Sequence, residues 1–347
     1  MTTTARLPRA AAAASDPKAL AAAREALKRE HAIDAVAAGV LAACALGPSV
    51  LLGPIQLLVG GAGTGLHAID GRVQQPGKGL GRPRGFQESD AIPDAARVGA
   101  PALPAALSTA LASFGSATLA RALGPAIDMA RRVSKPRMEL LRRMAERGPI
   151  ALTHARVAAE LVLVAGRGQG GLLSERDLEE LRPAVVRAES SRLEGGRLAT
   201  VPWGAEPVRA AVTALDPVGA RGEPASLPSR VVRIVAAVDA RGQFAIACYE
   251  VAERGLAIEA LDLVAPLLAF PVLRGRTRVP PGFPCAAAAP IALREDDGAL
   301  GLAAGVGGED DAEGTLGSWL ASGDVAKAHA APGLVALLRS ARGVKAL

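Results

Sequence analysis

The side chains able to do chemistry are few and scattered along this sequence. His31, His67, His154 and His329 stand alone with no metal-ligand spacing, so no metal site is expected. Cys44, Cys248 and Cys285 form no Cys-x-x-Cys pair, and an odd number cannot all pair internally, so they read as reduced thiols. The acidic run Glu309–Glu313 lacks the alternating ligands and central glycine of a calcium loop and reads as a solvated loop. Gly60-Gly61-Ala62-Gly63-Thr64-Gly65 follows a strand-like run, Ile55–Val59. It leads out through alternating residues to Asp70-Gly71 rather than opening a helix, so it predicts a β-hairpin and not a dinucleotide loop. None of these features implies a cofactor.

The elements that must hold any site follow from composition and breakers. Half of the 347 residues are apolar, enough to bury a sizeable core in one large domain or two closely packed ones. The formal charge of +6 comes from 40 Lys plus Arg against 34 Asp plus Glu, interspersed, and no basic cluster is interleaved with aromatics, which excludes a nucleic-acid binder. No charge occurs between Ala35 and Gly65, but Pro48 and Pro54 each follow a glycine and break the run. A buried helix to about Ala45, a turn and a strand are expected instead of a membrane span. Residues 1–15 offer no secretory pattern, only Thr2–Thr4 and the weakly apolar Ala10–Ala14. They are expected to be a flexible N-terminus, and the protein to be cytoplasmic.

Asp16 is placed as the N-cap of an exposed amphipathic helix over Asp16–Glu30. Residues 73–98, rich in Gly, Pro and charge, predict a surface loop. From Ala100 to about Arg192 the pattern is mostly helical: Leu103–Ser113, Ser116–Arg132, Lys135–Arg147, Ile150–Gly166, and Ser174–Glu180 with a capping-box variant at Ser174 and Asp177. Beyond a Gly/Pro-rich joint at Asp216–Pro228, Val231–Val238 and Gln243–Tyr249 flank Arg241-Gly242 as a hairpin. Ile291–Leu293 and Leu300–Ala304 form a second, and two short helices are expected to finish the chain. This order predicts an α+β layered fold.

His31-Ala32-Ile33-Asp34-Ala35, Asp70-Gly71-Arg72 and Leu123-Gly124-Pro125-Ala126-Ile127 are stretches that together resemble the gamma-glutamyltransferases, a family of the N-terminal-nucleophile hydrolase superfamily. His31-Ala32-Ile33-Asp34-Ala35 resembles the family's Asn-Ala-Val-Asp-Ala helix start, with Arg29-Glu30 replacing the glycine pair before it. Asp70-Gly71-Arg72-Val73-Gln74-Gln75-Pro76 resembles Asp-x-Arg-Glu-x-Ala-Pro, and Val98-Gly99-Ala100-Pro101 resembles a Val-Gly-Val-Pro-Gly turn. Leu123-Gly124-Pro125-Ala126-Ile127-Asp128-Met129-Ala130 and Gly171-Leu172-Leu173-Ser174-Glu175-Arg176-Asp177-Leu178 complete five matches in family order. The resemblance implies a reduced αββα sandwich. It divides the chain into a large-subunit-like region (16–215), a linker (216–228) and a small-subunit-like region (229–347). After Val201-Pro202-Trp203-Gly204, which resembles the remnant of a Pro-Pro-Ser-x-Gly-Gly turn, little length remains for the family's long helical section and cleavage linker.

The family's catalytic strand reads Thr-Thr-His-x-Ser-x-x-Asp with a glycine three residues later. Anchored on Asp239 and Gly242, this pattern puts Val232 at the nucleophile, Arg233 at the second threonine and Ile234 at the histidine. Valine has no oxygen or sulfur with which to attack an amide. Ser229, which cleavage after Pro228 would expose, is the substitute hydroxyl, but it lies three residues early, an offset of most of 10 Å at about 3.3 Å per residue. Ala286-Ala287 replace the family's carboxylate-binding serines. Gly307-Gly308 retain its oxyanion-hole glycines, followed at once by Glu309, Asp310 and Asp311, which oppose a developing negative charge. The resemblance implies that Arg72 grips a small carboxylate; a structural ion pair beside the hairpin is the other reading of that residue. The expected function is a catalytically inactive gamma-glutamyltransferase-like protein acting as a binding or partner subunit. Loss of the helical section would leave apolar surface for a homo-oligomer or another protein. The alternatives are a divergent transferase or amidohydrolase, using its own hydroxyl or completed by another chain, and a scaffold with no ligand of its own.

Overall fold

From Ala32 to Gly61 the chain is uncharged apart from Asp34, and the fold buries nearly all of it. The computed structural model of the chain describes residues 8–29, 31–61, 63–81, 83–87, 89–193, 196–203, 230–286, 289–296, 301–308, 316 and 333–346. In chain order these form β1 (Ala11–Ala14), α1 (Pro17–Leu27), α2 (Ala32–Leu46), β2 (Ile55–Gly61), β3 (His67–Gly71), α3 (Leu103–Phe114), α4 (Leu119–Ala130), α5 (Lys135–Arg147), α6 (Ala155–Ala165) and α7 (Glu175–Glu179). They continue as β4 (Ala184–Arg187), β5 (Glu189–Leu193), β6 (Gly196–Thr200), β7 (Arg230–Val238), β8 (Gln243–Ala252), β9 (Gly255–Ile258), β10 (Leu263–Pro266), β11 (Ile291–Asp296), β12 (Gly301–Val306), β13 (Leu334–Ser340) and β14 (Gly343–Ala346).

Two six-stranded antiparallel sheets, ordered β1-β7-β8-β2-β3-β4 and β14-β13-β12-β11-β6-β5, stack face to face. The period of two along each strand assigns side chains to layers. Ile55, Leu57, Val235, Ala247 and Tyr249 face a helical layer built around α2, while Leu58, Ile234, Ala236 and Ile246 pack against Ile291, Leu293, Ala303 and Leu337 of the second sheet. The far face of the second sheet presents Ala292, Leu302, Ala304 and Ala336, packed with Leu316. The molecule is an α+β sandwich. Strands buried on both faces read as continuous apolar runs, which is why β7, β8 and β12 show little alternation. Strands β7 and β8 complete the first sheet between β1 and β2, so the regions on either side of residues 216–228 share one sheet. The joint itself lies outside the described residues.

The α1 N-terminus forms as expected, with Asp16 Oδ1 accepting the Lys18 and Ala19 N–H groups at 2.9 and 2.8 Å. Four expectations are corrected. The N-terminus is not wholly flexible, because Ala11–Ala14 pair with Val235–Val238 as an edge strand whose small side chains fit between α1 and the second sheet. The helical pattern stops earlier than Arg192: Pro183 ends it, and β4 to β6 follow. The loop expected over 73–98 begins buried, with Val73 and Gln75 covered and Gln74 exchanging both backbone hydrogen bonds with Ala100. The last described segment is the β13–β14 hairpin rather than a helix, since a short apolar run such as Leu334–Leu338 has the same sequence signature in either form. Among the described residues no single helix is long and apolar enough to cross a membrane.

Candidate functional site

The site is built from the head of β7, and its register is fixed by Asp239. Asp239 Oδ1 accepts the N–H groups of Arg241, Gly242 and Gln243 at 2.9, 2.9 and 3.0 Å, closing the β7–β8 turn, and Oδ2 accepts the Ala32 N–H at 3.3 Å at the start of α2. Gly242 turns there with φ of +93°. Counting back along β7 places Val232 at the strand's head with its half-buried side chain on the inter-sheet core.

Gly308 meets Val232 directly. The Val232 N–H donates to Gly308 O at 3.0 Å, and the Gly308 N–H donates to Val232 O at 3.1 Å. The Gly307 N–H donates to Gly333 O at 2.9 Å. Both N–H groups of the glycine pair are therefore engaged within the chain. A Cβ on Gly307 would lie 2.9 Å from both Val232 O and Ser15 Oγ, so only glycine lets the end of β12 come this close. Ser15, at the end of β1, accepts the Ile234 N–H on its hydroxyl at 2.9 Å.

Arg72 follows the end of β3. Gly71, Ile55, Tyr249 and Arg233 form one row across the sheet, which puts Arg72 and Val232 at the same sheet end, three strand spacings or about 14 Å apart. The Arg72 side chain is 3% exposed. Its Nε and Nη2 donate to Asp70 at 3.0 and 2.8 Å, and Nη1 donates to Ala286 O at 3.3 Å. Its Cζ lies 5.4 Å from the centre of the Trp203 ring. The Trp203 indole N–H donates to Gln56 Oε1 at 2.5 Å, and the same oxygen accepts the Ala289 N–H at 3.0 Å. Burial pushes the neighbouring Cys285 thiol up to about 12 despite the charge of Arg72. The group is a protonated thiol that donates to Gln75 Oε1 and Phe283 O at 3.4 and 3.3 Å.

No family model and no curated protein matches this sequence. Among solved structures it is similar to a cephalosporin acylase from Bacillus halodurans at 16% identity, covering 87% of this chain and 78% of that one with a TM-score of 0.63. LmbA2991HD matches at 15% identity, covering 92% of this chain and 82% of the other, with a TM-score of 0.66. The fold is that of the N-terminal-nucleophile hydrolases. A gamma-glutamyltranspeptidase from Pseudomonas nitroreducens aligns over 62% of this chain and 78% of its own, at 17% identity and a TM-score of 0.45.

Within this N-terminal-nucleophile hydrolase fold, the matched motif carboxylates are structural. Asp34, fully buried, accepts the His31 N–H at 2.9 Å, the Ser116 N–H at 2.9 Å, the Ser116 hydroxyl at 2.7 Å and the Ala117 N–H at 3.1 Å. Asp177 accepts from Ser174 N and Oγ, Gly77 N and Lys78 N. The sequence-predicted residues Val232, Gly307 and Gly308 come together at one point, and Arg72 stands across the sheet beside Ala286. Ser229, Ala287 and the run Glu309–Glu313 lie outside the described residues. Gln56, Trp203 and Ser15 were not singled out from the sequence as site residues. Gln56 had a signal, being the lone polar residue in an otherwise apolar strand. Among the described residues no group of His, Cys, Asp or Glu could hold a metal ion.

Proposed function

We propose that this chain is a gamma-glutamyltransferase-like protein without the family's catalysis, acting as a binding or partner subunit. One observation carries the reading: at the head of β7, where the chemistry requires a nucleophile, Val232 is locked through its backbone to Gly308. An N-terminal nucleophile needs a side-chain oxygen or sulfur and its own freed α-amine as base. Valine supplies neither, and its N–H is engaged as a peptide donor. An oxyanion hole needs donors directed at the developing charge. Here the Gly307 and Gly308 N–H groups are directed at Gly333 and Val232.

Arg72 forms a buried ion pair with Asp70 and also donates to Ala286 O, the structural pairing that is the other reading of this residue. The proposed ligand is a small carboxylate competing for that arginine, and the proposed partner is a second copy or another protein. Turnover of a chromogenic gamma-glutamyl anilide tests the inactivity. The wild-type chain is expected to hydrolyse it no faster than a Ser229→Ala variant does. Hydrolysis by wild type that Ser229→Ala abolishes would make the chain a divergent amidohydrolase instead.

A further inference from the structure

We propose that β4 is a self-pairing edge, through which two copies of this chain join their first sheets into one antiparallel sheet across a two-fold axis at Val186. This pairing rests on the partner role proposed above and gives it a surface and an occupant. β4 ends the first sheet, and among the described residues no strand pairs with its outer edge. The opposite side of the sandwich is closed, with β1 packed against β13 and β14 and Pro8 O accepting the Val344 N–H at 2.7 Å.

All four residues of β4 are exposed, and two of them are adjacent valines, Val185 at 39% and Val186 at 38%. Each is the outermost apolar side chain of a layer. Val185 pairs with Ile69 of the helix-facing core, and Val186 with Ala68 of the inter-sheet core. A further strand would continue both layers. An open strand edge is a template for another chain, and native edges are commonly blunted by lysine, proline or a bulge. Ala184–Arg187 has none of these, whereas β5, the edge of the second sheet on this side, is polar from Glu189 to Arg192.

Hydrogen-bond parity limits the register. The Ala188 N–H donates to Leu66 O at 3.0 Å, so by alternation Val186 and Ala184 also bond to β3, and Val185 and Arg187 turn their N–H and C=O groups outward. Outward residues must meet outward residues. Centred on Val185, the pairing would set Pro183 opposite Arg187 and present a proline ring where a donor is needed. Centred on Val186, it sets Val185 opposite Arg187 of the second copy with both bonds formed, and Val186 opposite itself as an apolar pair on the axis. The strand thus supplies its own complement. Strands this short bury less than the roughly 1,200 Å² of a standard interface, so the dimer is weak and concentration-dependent.

Sedimentation equilibrium from about 1 to 300 μM is expected to show monomer and dimer exchanging, and Val186→Lys to weaken the dimer at least about tenfold by setting two like charges opposite each other. Cys44, Cys248 and Cys285 are buried, so a new surface thiol can be read alone. Val186→Cys should cross-link into a disulfide dimer under mild oxidation, and Val185→Cys, which faces Arg187, should not. A wild-type monomer throughout that range, a dimer that a folded Val186→Lys leaves intact, or cross-linking through residue 185 in preference to 186 would overturn the edge. The second of these outcomes would leave the partner role standing through another surface. Turnover of a gamma-glutamyl anilide, read on the same samples, judges the inactive reading separately: hydrolysis by a dimer that Val186→Lys dissociates would sink that reading and keep the edge.

Discussion

On the proposed reading, valine at position 232 removes more than a hydroxyl, because the backbone around it is paired with Gly308 as well. Restoring the side chain alone should not restore chemistry. Val232→Thr is expected to stay uncleaved and to show no glutamyl-anilide turnover, since the Gly307 and Gly308 donors remain paired with Gly333 and Val232. A self-cleaving, active Val232→Thr would mean that the backbone closure opens freely. The buried thiols make a second residue-level prediction. Burial raises Cys44 and Cys285 from 9.0 to about 12 in the folded chain and pushes the Tyr249 hydroxyl up as well. In the unfolded chain these thiols ionise near their ordinary value, so the unfolded state binds fewer protons above it. Stability should be level below about pH 9 and fall as pH rises from about 9 to about 12. Urea midpoints across that range check this, and Cys44→Ala should flatten the decline.

At the scale of elements, the close approach of β12 to β7 depends on glycine. Gly307→Ala sets a methyl group 2.9 Å from Val232 O and Ser15 Oγ and should destabilise the fold by about 1–3 kcal/mol, read as a lowered Tm. Asp239 ties the β7–β8 turn to α2 through four N–H groups. Asp239→Ala leaves them without their acceptor and should cost about 3 kcal/mol or more, measured by urea unfolding. These residues also explain what could be read in advance. The Asp239 and Gly242 spacing could be counted because a carboxylate three residues before a left-handed glycine closes a hairpin in a fixed geometry. Asp34 and Asp177 stood out because a buried carboxylate accepting several N–H groups constrains sequence as tightly as a catalytic group does. β13 was not legible, since Leu-Val-Ala-Leu-Leu buried on a sheet is indistinguishable by period from a short helix. Trp203 over Arg72 was hidden for another reason: the contact joins opposite sheets, and nothing local to residue 72 or residue 203 encodes it.

For the whole molecule, the sandwich has the layers of the N-terminal-nucleophile hydrolase fold, held by buried carboxylates at Asp34, Asp177 and Asp239, and on the proposed reading the positions that would carry chemistry hold Val232, Ala286 and a paired Gly308. On the proposed reading fold and reaction are separate, because the carboxylate joints stabilise the sandwich without help from a nucleophile. A chain acting through a partner should sediment as an oligomer or co-purify in a complex, and a lone monomer at micromolar concentration would count against that role. The most direct test of the central claim is the intact mass of the purified protein. The account predicts one uncleaved chain of 35.1 kDa. Two fragments, the second beginning at a residue with a side-chain oxygen or sulfur, would contradict it and identify the nucleophile.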